Sequence, residues 1–393
     1  MNILFSNIFY VSPTQGGTER VTFSVGSSLK KLGHTIYSIY SQGIDNGDAN
    51  DLFHDSRKLR DLTDTVTLSS LLKLWQIDAV IVQGAYAQVK WYRKAMQDIP
   101  SCKLYFAHHF EPGWELHEFT FVSYWRNLLS AKSLRGYCVM IAHILLYPYE
   151  RRRYIRQLPR WYKEAYDNAD KVILLCKGFI SQYMKFACVD NPTKFVVIPN
   201  MLSFEKIESP DRLKYKKNHV IIVSRMTEPL KRISLALKIW EECMKDPQVA
   251  GWKLYIIGEG EDLLKYQQTV KTRQLPNVTF LGRQDPIPFY QVASIFIMTS
   301  LSEGWGLTLT ESMQNAVVPL AFDTYATLHD IITDKKDGYI IPEGDINGYV
   351  RKLKHLMLDS EDRNRMAIEG LESAKRFTAK KVGQIWDFLL TNQ

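Results

Sequence analysis

Short apolar or β-branched runs alternate with longer helix-patterned stretches along almost the whole chain, and this alternation restricts the fold more than any other feature. In the first half the strand-like runs are NILFS, HTIYSIY, DAVIVQG, KLYFAHH, KVILLC and FVVIPN. In the second half they are HVIIVSR, KLYIIG, VTFLG, SIFIMTS and VPLAF. Continuous apolar strands separated by helices predict parallel sheets covered on both faces, an α/β fold. Between the two sets lies NMLSFEKIESPDRLKYKKN, a polar stretch that reads as an interdomain connection. With 393 residues, two Rossmann-like units are expected. In such sheets ligands sit beyond the carboxyl ends of the strands, so the strand-to-helix loops are where chemistry is sought.

An apolar share of 46% supports ordinary packed cores and argues against disorder. Cys102, Cys138, Cys176, Cys188 and Cys243 are scattered without a paired or zinc-like spacing, which predicts reduced, mostly buried thiols in a cytoplasmic protein and no structural zinc. The start, MNILFSNIFYVSP, has no basic leader or small-residue cleavage site and reads as a first strand. The net charge of +8 is concentrated: between Tyr124 and Glu164 nine basic residues face two acidic ones. They are Arg126, Lys132, Arg135, Arg151, Arg152, Arg153, Arg156, Arg160 and Lys163, against Glu150 and Glu164. Such a concentration asks for an anionic partner.

That segment lies in the longest helical stretch, about Trp114 to Asp167. GYCVMIAHILLYPY is too short to span a membrane, which needs roughly 20 apolar residues, and ERRRYIRQLPRWYK follows it directly. Two readings stay open: an interfacial element that sets apolar and aromatic groups beside guanidinium groups, or a core helix with a solvated basic face. Arg151, Arg152, Arg153, Arg156 and Trp161 are the candidate membrane or acceptor contacts.

Several strand ends carry chemistry. After the first run, Gly16 and Gly17 precede a helix beginning near Thr18, whose free N–H groups suit an anionic or polyhydroxyl ligand. The plain alternative is a tight turn with Thr18 as N-cap. YFAHHFEP leaves His108 and His109 at another strand end, where an imidazole can exchange a proton near neutral pH or serve as a structural donor. VIIVSRMTEPLKRIS puts Arg225 at a strand end and Lys231 six residues on. A guanidinium and an ammonium together suit a diphosphate, although two basic residues around a loop are also compatible with simple solvation. IIGEGEDL has only part of a dinucleotide fingerprint and reads as a turn beside the cleft.

TSLSEGWGLTLTESMQNA places Glu303 in a loop, Gly304, Trp305 and Gly306 around a helix start, then Leu307 and Thr308, with Glu311 in the second turn. Paired carboxylate oxygens suit vicinal hydroxyls, and the glycine amides suit phosphate or sugar. The alternative is a helix N-terminus stabilised by acidic residues, which Glu311 fits poorly because it lies beyond the first turn.

These motifs together resemble the retaining, nucleotide-sugar-dependent transferases of glycosyltransferase family four. EGWGLTLTE is similar to that family's E-x7-E element, usually EGFGLxxLE, and SRMTEPLK to its GR-x5-K element. GGTERVTFSVGSSLKKLGH is similar to the GG-x-ER helix, and NADKVILLCKGF and VIPNM to two further segments, all in family order. The resemblance implies a GT-B architecture, two Rossmann-like domains facing each other across a cleft. The expected domains are 1–203 on the acceptor side and 204–375 for the donor, with a closing helix at 376–393 crossing back onto the first. It implies donor binding by Arg225, Lys231, Glu303, Gly304, Trp305, Gly306, Leu307, Thr308 and Glu311. It also places His108 near the reacting anomeric carbon and Gly16 and Gly17 near the donor phosphates and sugar. Departures fall at Ser224, where the family has Gly, and in AVVPLAFDTYATLHD, with Ala316, Ala326 and Asp330 around the sugar pocket.

The expected reaction is metal-independent hexose transfer with retention, from a nucleotide-diphosphate sugar, UDP in preference to GDP, to a glycan or lipid-linked sugar in cell-surface polysaccharide synthesis. No Asp-x-Asp metal motif stands in a loop, and no cofactor besides the sugar-nucleotide substrate is expected. A cytoplasmic place, peripheral at the inner face of the plasma membrane, fits the basic segment. The rival readings are a GDP-mannose-type mannosyltransferase, a UDP-sugar epimerase and a basic polyanion-binding scaffold. An NAD-dependent oxidoreductase would need a complete glycine fingerprint, which is missing, and no nucleic-acid recognition motif is present.

Overall fold

A computed structural model describes residues 1–14, 16–45, 47–49, 51–118 and 133–392. The chain divides into two compact units, Met1–Ile198 and Pro199–Gln393.

The first unit holds a parallel sheet of seven strands: β1 (Asn2–Phe9), β2 (Thr35–Gln42), β3 (Asp55–Lys58), β4 (Ala79–Gln83), β5 (Lys103–Ala107), β6 (Lys171–Leu174) and β7 (Phe195–Val197). Their spatial order is β3-β2-β1-β4-β5-β6-β7. Residues Ile3 to Asn7 of β1 and all of β4 are buried, which explains why these strands read as unbroken apolar runs: helices cover both faces. Pairing of Ile3 with both Ile36 and Ala79 puts β1 at the centre, where the strand order reverses. Helix Thr65–Leu74 opens on Asp64, whose carboxylate accepts from the amides of Val66 and Thr67 at 3.1 Å.

The second unit repeats the plan with β8 (His219–Val223), β9 (Lys253–Ile257), β10 (Val278–Gly282), β11 (Ile295–Met298), β12 (Val318–Asp323) and β13 (Tyr339–Pro342). These six strands run in the order β10-β9-β8-β11-β12-β13, again all parallel. Its core has Trp240 and Tyr349 fully buried. The Tyr349 hydroxyl, on helix Ile346–Leu358, donates to the Leu320 carbonyl at 2.7 Å and accepts from the Met298 amide at 3.2 Å, fixing that helix over β11 and β12. The closing helix Ala379–Thr391 belongs to this unit.

One strand escapes the apolar pattern, and another is apolar but only four residues long. β3, DSRK, is polar because it lies at a sheet edge, and β13, YIIP, is short and ends in proline at the other unit's edge. The long helical stretch appears as Glu115–Glu118 and Leu134–Asn168, with Pro148 and Pro159 inside the latter. Arg126 and Lys132 of the basic segment lie outside the described residues. Among the described thiols, Cys102, Cys176 and Cys243 are buried and Cys188 is exposed, all free. No helix among the described residues is long and apolar enough to cross a membrane.

Candidate active site

In the second unit the order reverses between β8 and β11. These strands pair at only two positions, Ile295 with Val220 and Phe296 with Ile221, whereas β8 and β9 pair along five. Their carboxyl ends therefore part over a small open cleft lined by Ser224, Lys231, Thr299 and Ser300. The Lys231 ammonium donates to Oε1 of Glu303 at 2.6 Å, and both side chains keep some exposure, 23% and 15%. Arg225 stands exposed at the start of the loop after β8. Lys231, on the loop after β8, and Glu303, on the loop after β11, thus meet at one strand-end region, and Arg225 lies on the same loop as Lys231.

Arg232, which the sequence reading did not single out, holds that region together. It takes a left-handed conformation, φ 48°, immediately before helix Ile233–Met244. Its guanidinium donates to the carbonyls of Thr299 at 2.6 Å and Ser300 at 3.1 Å. In return the Thr299 hydroxyl donates to the carbonyls of Lys231 and Arg232 at 3.1 and 2.9 Å. The loops after β8 and β11 are stitched to each other, which fixes Lys231 against Glu303. From sequence, a second basic residue before a helix reads as solvated surface, so no local signal marks it.

The GEG turn after β9 finds its explanation here. A Cβ on Gly258, whose φ is +136°, would come within 2.0 Å of the Ser224 carbonyl oxygen, and one on Gly260 within 2.4 Å of that of Met226. Glycine lets this turn lie directly against the Arg225 loop, and the Met226 amide donates to the Glu259 carbonyl at 2.9 Å.

After β11, helix Leu307–Gln314 starts where expected, on Gly306 at φ 86°. Gly304, Leu307 and Thr308 retain exposure, while Trp305 and Gly306 are buried. Trp305 packs edge-on to Phe377, ring centroids 5.2 Å apart. Glu311 is 1% exposed, and the Tyr290 hydroxyl donates to its Oε2 at 3.2 Å. Lys216 supports the far end of this helix: its ammonium donates to the carbonyls of Tyr290 and Asn315, at 2.8 and 2.6 Å, and burial pulls its pKa down to about 7.

The first unit brings together a different set. Gly16 precedes helix Gly17–Lys31 with φ 44°, and a Cβ there would collide with the Glu19 carboxylate. The cap is therefore Gly16, with no side-chain cap bond, and the alternative of Thr18 as N-cap is corrected. Burial raises the pKa of Glu19, which folds back over this turn. At the end of β5, His108 is 1% exposed and His109 8%. The Tyr162 hydroxyl lies 3.0 Å from both oxygens of Glu115, accepts from the Gly113 amide at 3.3 Å and meets Nε2 of His108 at 3.3 Å. A phenol has one proton, and the carboxylate is its strongest acceptor. Nε2 of His108 must then be the donor to Tyr162, which leaves Nδ1 of the neutral ring as an acceptor. Burial, with His109 adjacent, lowers the pKa of His108 to about 3, and burial lowers that of His109 to about 4, so both rings are neutral. His109 pairs with Gln83 through Nε2. Glu115 and Tyr162 carry no sequence signal, because the contact joins positions 47 residues apart.

Arg151, Arg152, Arg153 and Arg156 are exposed on helix Leu134–Asn168, and Trp161 is half-buried, its ring stacked at 6.0 Å on Tyr86. Among the described residues no group of three or more His, Cys, Asp or Glu side chains could hold a metal ion.

A family model matches residues 204–372, covering β8 to β13 and the loops just described: Glycosyl transferases group 1. Residues 204–372 are a glycosyl transferases group 1 domain. The chain is 28% identical over 177 residues to poly(glycerol-phosphate) alpha-glucosyltransferase of Bacillus subtilis, covering 44% of this chain and 26% of that protein. It is 25% identical over 235 residues to the amylovoran biosynthesis glycosyltransferase AmsD of Erwinia amylovora, covering 58% and 63% respectively. The chain thus spans less than two thirds of either relative. In structure it is similar over its whole length to HepE of Anabaena in complex with UDP, with a TM-score of 0.75 at 14% identity and all of both chains covered. The fold is α/β in the GT-B manner, two parallel-sheet units with alternating helices.

Proposed function

We propose that this protein is a retaining glycosyltransferase that moves a hexose from a nucleotide-diphosphate sugar, a UDP-sugar in preference to a GDP-sugar, to a glycan or lipid-linked acceptor. The observation that carries this is the Lys231–Glu303 pair at the β8/β11 strand ends inside the group 1 domain, with Arg225 exposed on the loop that carries Lys231. UDP in the HepE complex supports the donor base, and the glucosyltransferase and amylovoran relatives support a hexose and a cell-surface polysaccharide.

In this reading Arg225 and Lys231 neutralise the diphosphate as it leaves. The bond from the anomeric carbon to the β-phosphate oxygen breaks, and the electron pair goes to that oxygen. The acceptor hydroxyl oxygen bonds to the anomeric carbon on the same face and gives its proton to the departing phosphate. Glu303 holds sugar hydroxyls; its pairing with Lys231 suits that role better than the free nucleophile of a two-carboxylate scheme. Gly304, Trp305, Gly306, Leu307 and Thr308 frame the donor, Glu311 takes the ribose, and Gly16, Gly17 and His108 serve the sugar end. No divalent metal enters: the two cations supply the charge stabilisation.

A screen of UDP- and GDP-sugars by thermal shift, followed by transfer assays, tests the donor. The double variant Arg225→Ala/Lys231→Ala is expected to lower kcat by about 10²- to 10³-fold, the usual loss when charge stabilisation of a leaving group is removed; unchanged turnover would overturn the mechanism. Product formation should persist in excess chelator, and full dependence on magnesium would contradict the metal-free scheme. Incubating the enzyme with donor alone separates transfer from epimerisation, which would yield an isomerised sugar nucleotide.

A further inference from the structure

Helix Leu134–Asn168 is anchored on one side by Leu158, Tyr162 and Ala165, all fully buried. Along the opposite side runs a stripe, Ile141, Leu145, Tyr149, Arg152, Arg156 and Arg160, at steps of four, four, three, four and four, while Val139, Leu146 and Arg151 are exposed beside it. That spacing keeps one face of an α-helix. The first three are 49%, 76% and 66% exposed, unusual for large apolar and aromatic side chains, and the three arginines are also exposed. The stripe is therefore two blocks laid end to end, each about 12 Å long at 1.5 Å per residue: apolar first, cationic second. The helix's own carboxylates turn away from it. Glu150 pairs with His143 at 2.9 Å, Glu164 with Lys90 at 3.1 Å and Asp167 with Lys163 at 2.7 Å.

We propose that this stripe docks the protein on the surface of an anionic phospholipid bilayer, with Ile141, Leu145 and Tyr149 entering the head-group boundary and Arg152, Arg156 and Arg160 meeting lipid phosphates. Charge complementarity selects the occupant: no acid interrupts the arginine block, and guanidinium groups bind phosphate in a bidentate fork. The apolar block is too short to span a bilayer and long enough to lie in its boundary, the arrangement of an interfacial amphipathic helix. This inference rests on the exposed helix, not on the transfer reaction, and its test needs no donor sugar.

The full chain is mixed with vesicles of phosphatidylcholine alone, or of phosphatidylcholine with phosphatidylglycerol, and sedimented at low and high salt. Binding is expected to the anionic vesicles at low salt, weakening as salt rises. The triple variant Arg152→Gln/Arg156→Gln/Arg160→Gln should bind about a hundredfold more weakly, as follows from the usual contribution of each arginine near an anionic surface. Leu145→Trp should lose more fluorescence to brominated acyl chains than the parent chain with its nine tryptophans, a readout that stands even if the triple variant fails to fold. Failure of the parent chain to bind anionic vesicles at low salt, or equal binding by a folded triple variant, overturns the proposal, as does quenching of Leu145→Trp no greater than that of the parent. A dimer in vesicle-free solution that Leu145→Ser abolishes would instead assign the face to a second copy of the chain.

Discussion

The Lys231–Glu303 pair is a poor investment in stability: partly exposed ion pairs contribute about 0–1 kcal/mol, yet the structure fixes this one through four hydrogen bonds between Arg232 and Thr299 and their neighbours. Its placement makes sense as preparation for a ligand. The histidines at the end of β5 make a different case, because their burial ties stability to pH. The fold holds His108 at about 3 and His109 at about 4, below the ordinary 6.5. Below pH 6.5 the unfolded chain takes up protons that the folded chain refuses. Stability is therefore complete above about pH 6.5 and falls as pH drops toward 4 and then 3, by up to about 1.4 kcal/mol per pH unit for each ring. Urea midpoints should fall between pH 7 and pH 5, and His109→Asn should reduce the fall. A midpoint unchanged over that interval would contradict the neutral buried pair. Arg225, Lys231, Glu303 and both histidines were legible in the sequence because strand ends and glycines mark them. Arg232, Glu115 and Tyr162 were not, since their roles exist only through partners on other elements.

At the scale of elements, the glycine turn after β9 shows how a weak motif gains meaning from its neighbour. GEG looks like a fragment of a dinucleotide fingerprint, but its glycines answer to the backbone of the Arg225 loop. Gly258→Ala is expected to cost about 1–3 kcal/mol or more, because the methyl group meets a carbonyl oxygen and the backbone sits at positive φ. It should also weaken nucleotide binding by displacing Arg225. Gly251→Ala, where a Cβ meets nothing within 4 Å, should be close to neutral. Chemical denaturation and nucleotide titration of both variants check this; equal behaviour would remove the turn from the site. Eleven strands were legible as apolar runs; β3 was not, because an edge strand needs burial on fewer sides and tolerates polar residues, and β13 was not because its apolar run is only four residues long.

At the scale of the molecule, each unit has its own sheet and the second has a core centred on Trp240 and Tyr349. Residues 199–393 expressed alone should unfold cooperatively in urea and bind UDP measurably by calorimetry, since Arg225, Lys231, Glu303 and Glu311 all belong to that unit. A fragment without a cooperative transition would show that its fold depends on the first unit. The sequence by itself determined the α/β class, the two-unit plan and the strand-end placement of Arg225, Lys231 and Glu303, because periodicity, glycines and strand ends are local properties of the chain. Only the tertiary structure decided that Arg232 clamps the loops, that Tyr162 and Glu115 set the His108 tautomer, and that Ile141, Leu145 and Tyr149 stay exposed beside the arginines of their helix. Those outcomes depend on which distant side chains burial brings into hydrogen-bond reach, and no local pattern records that.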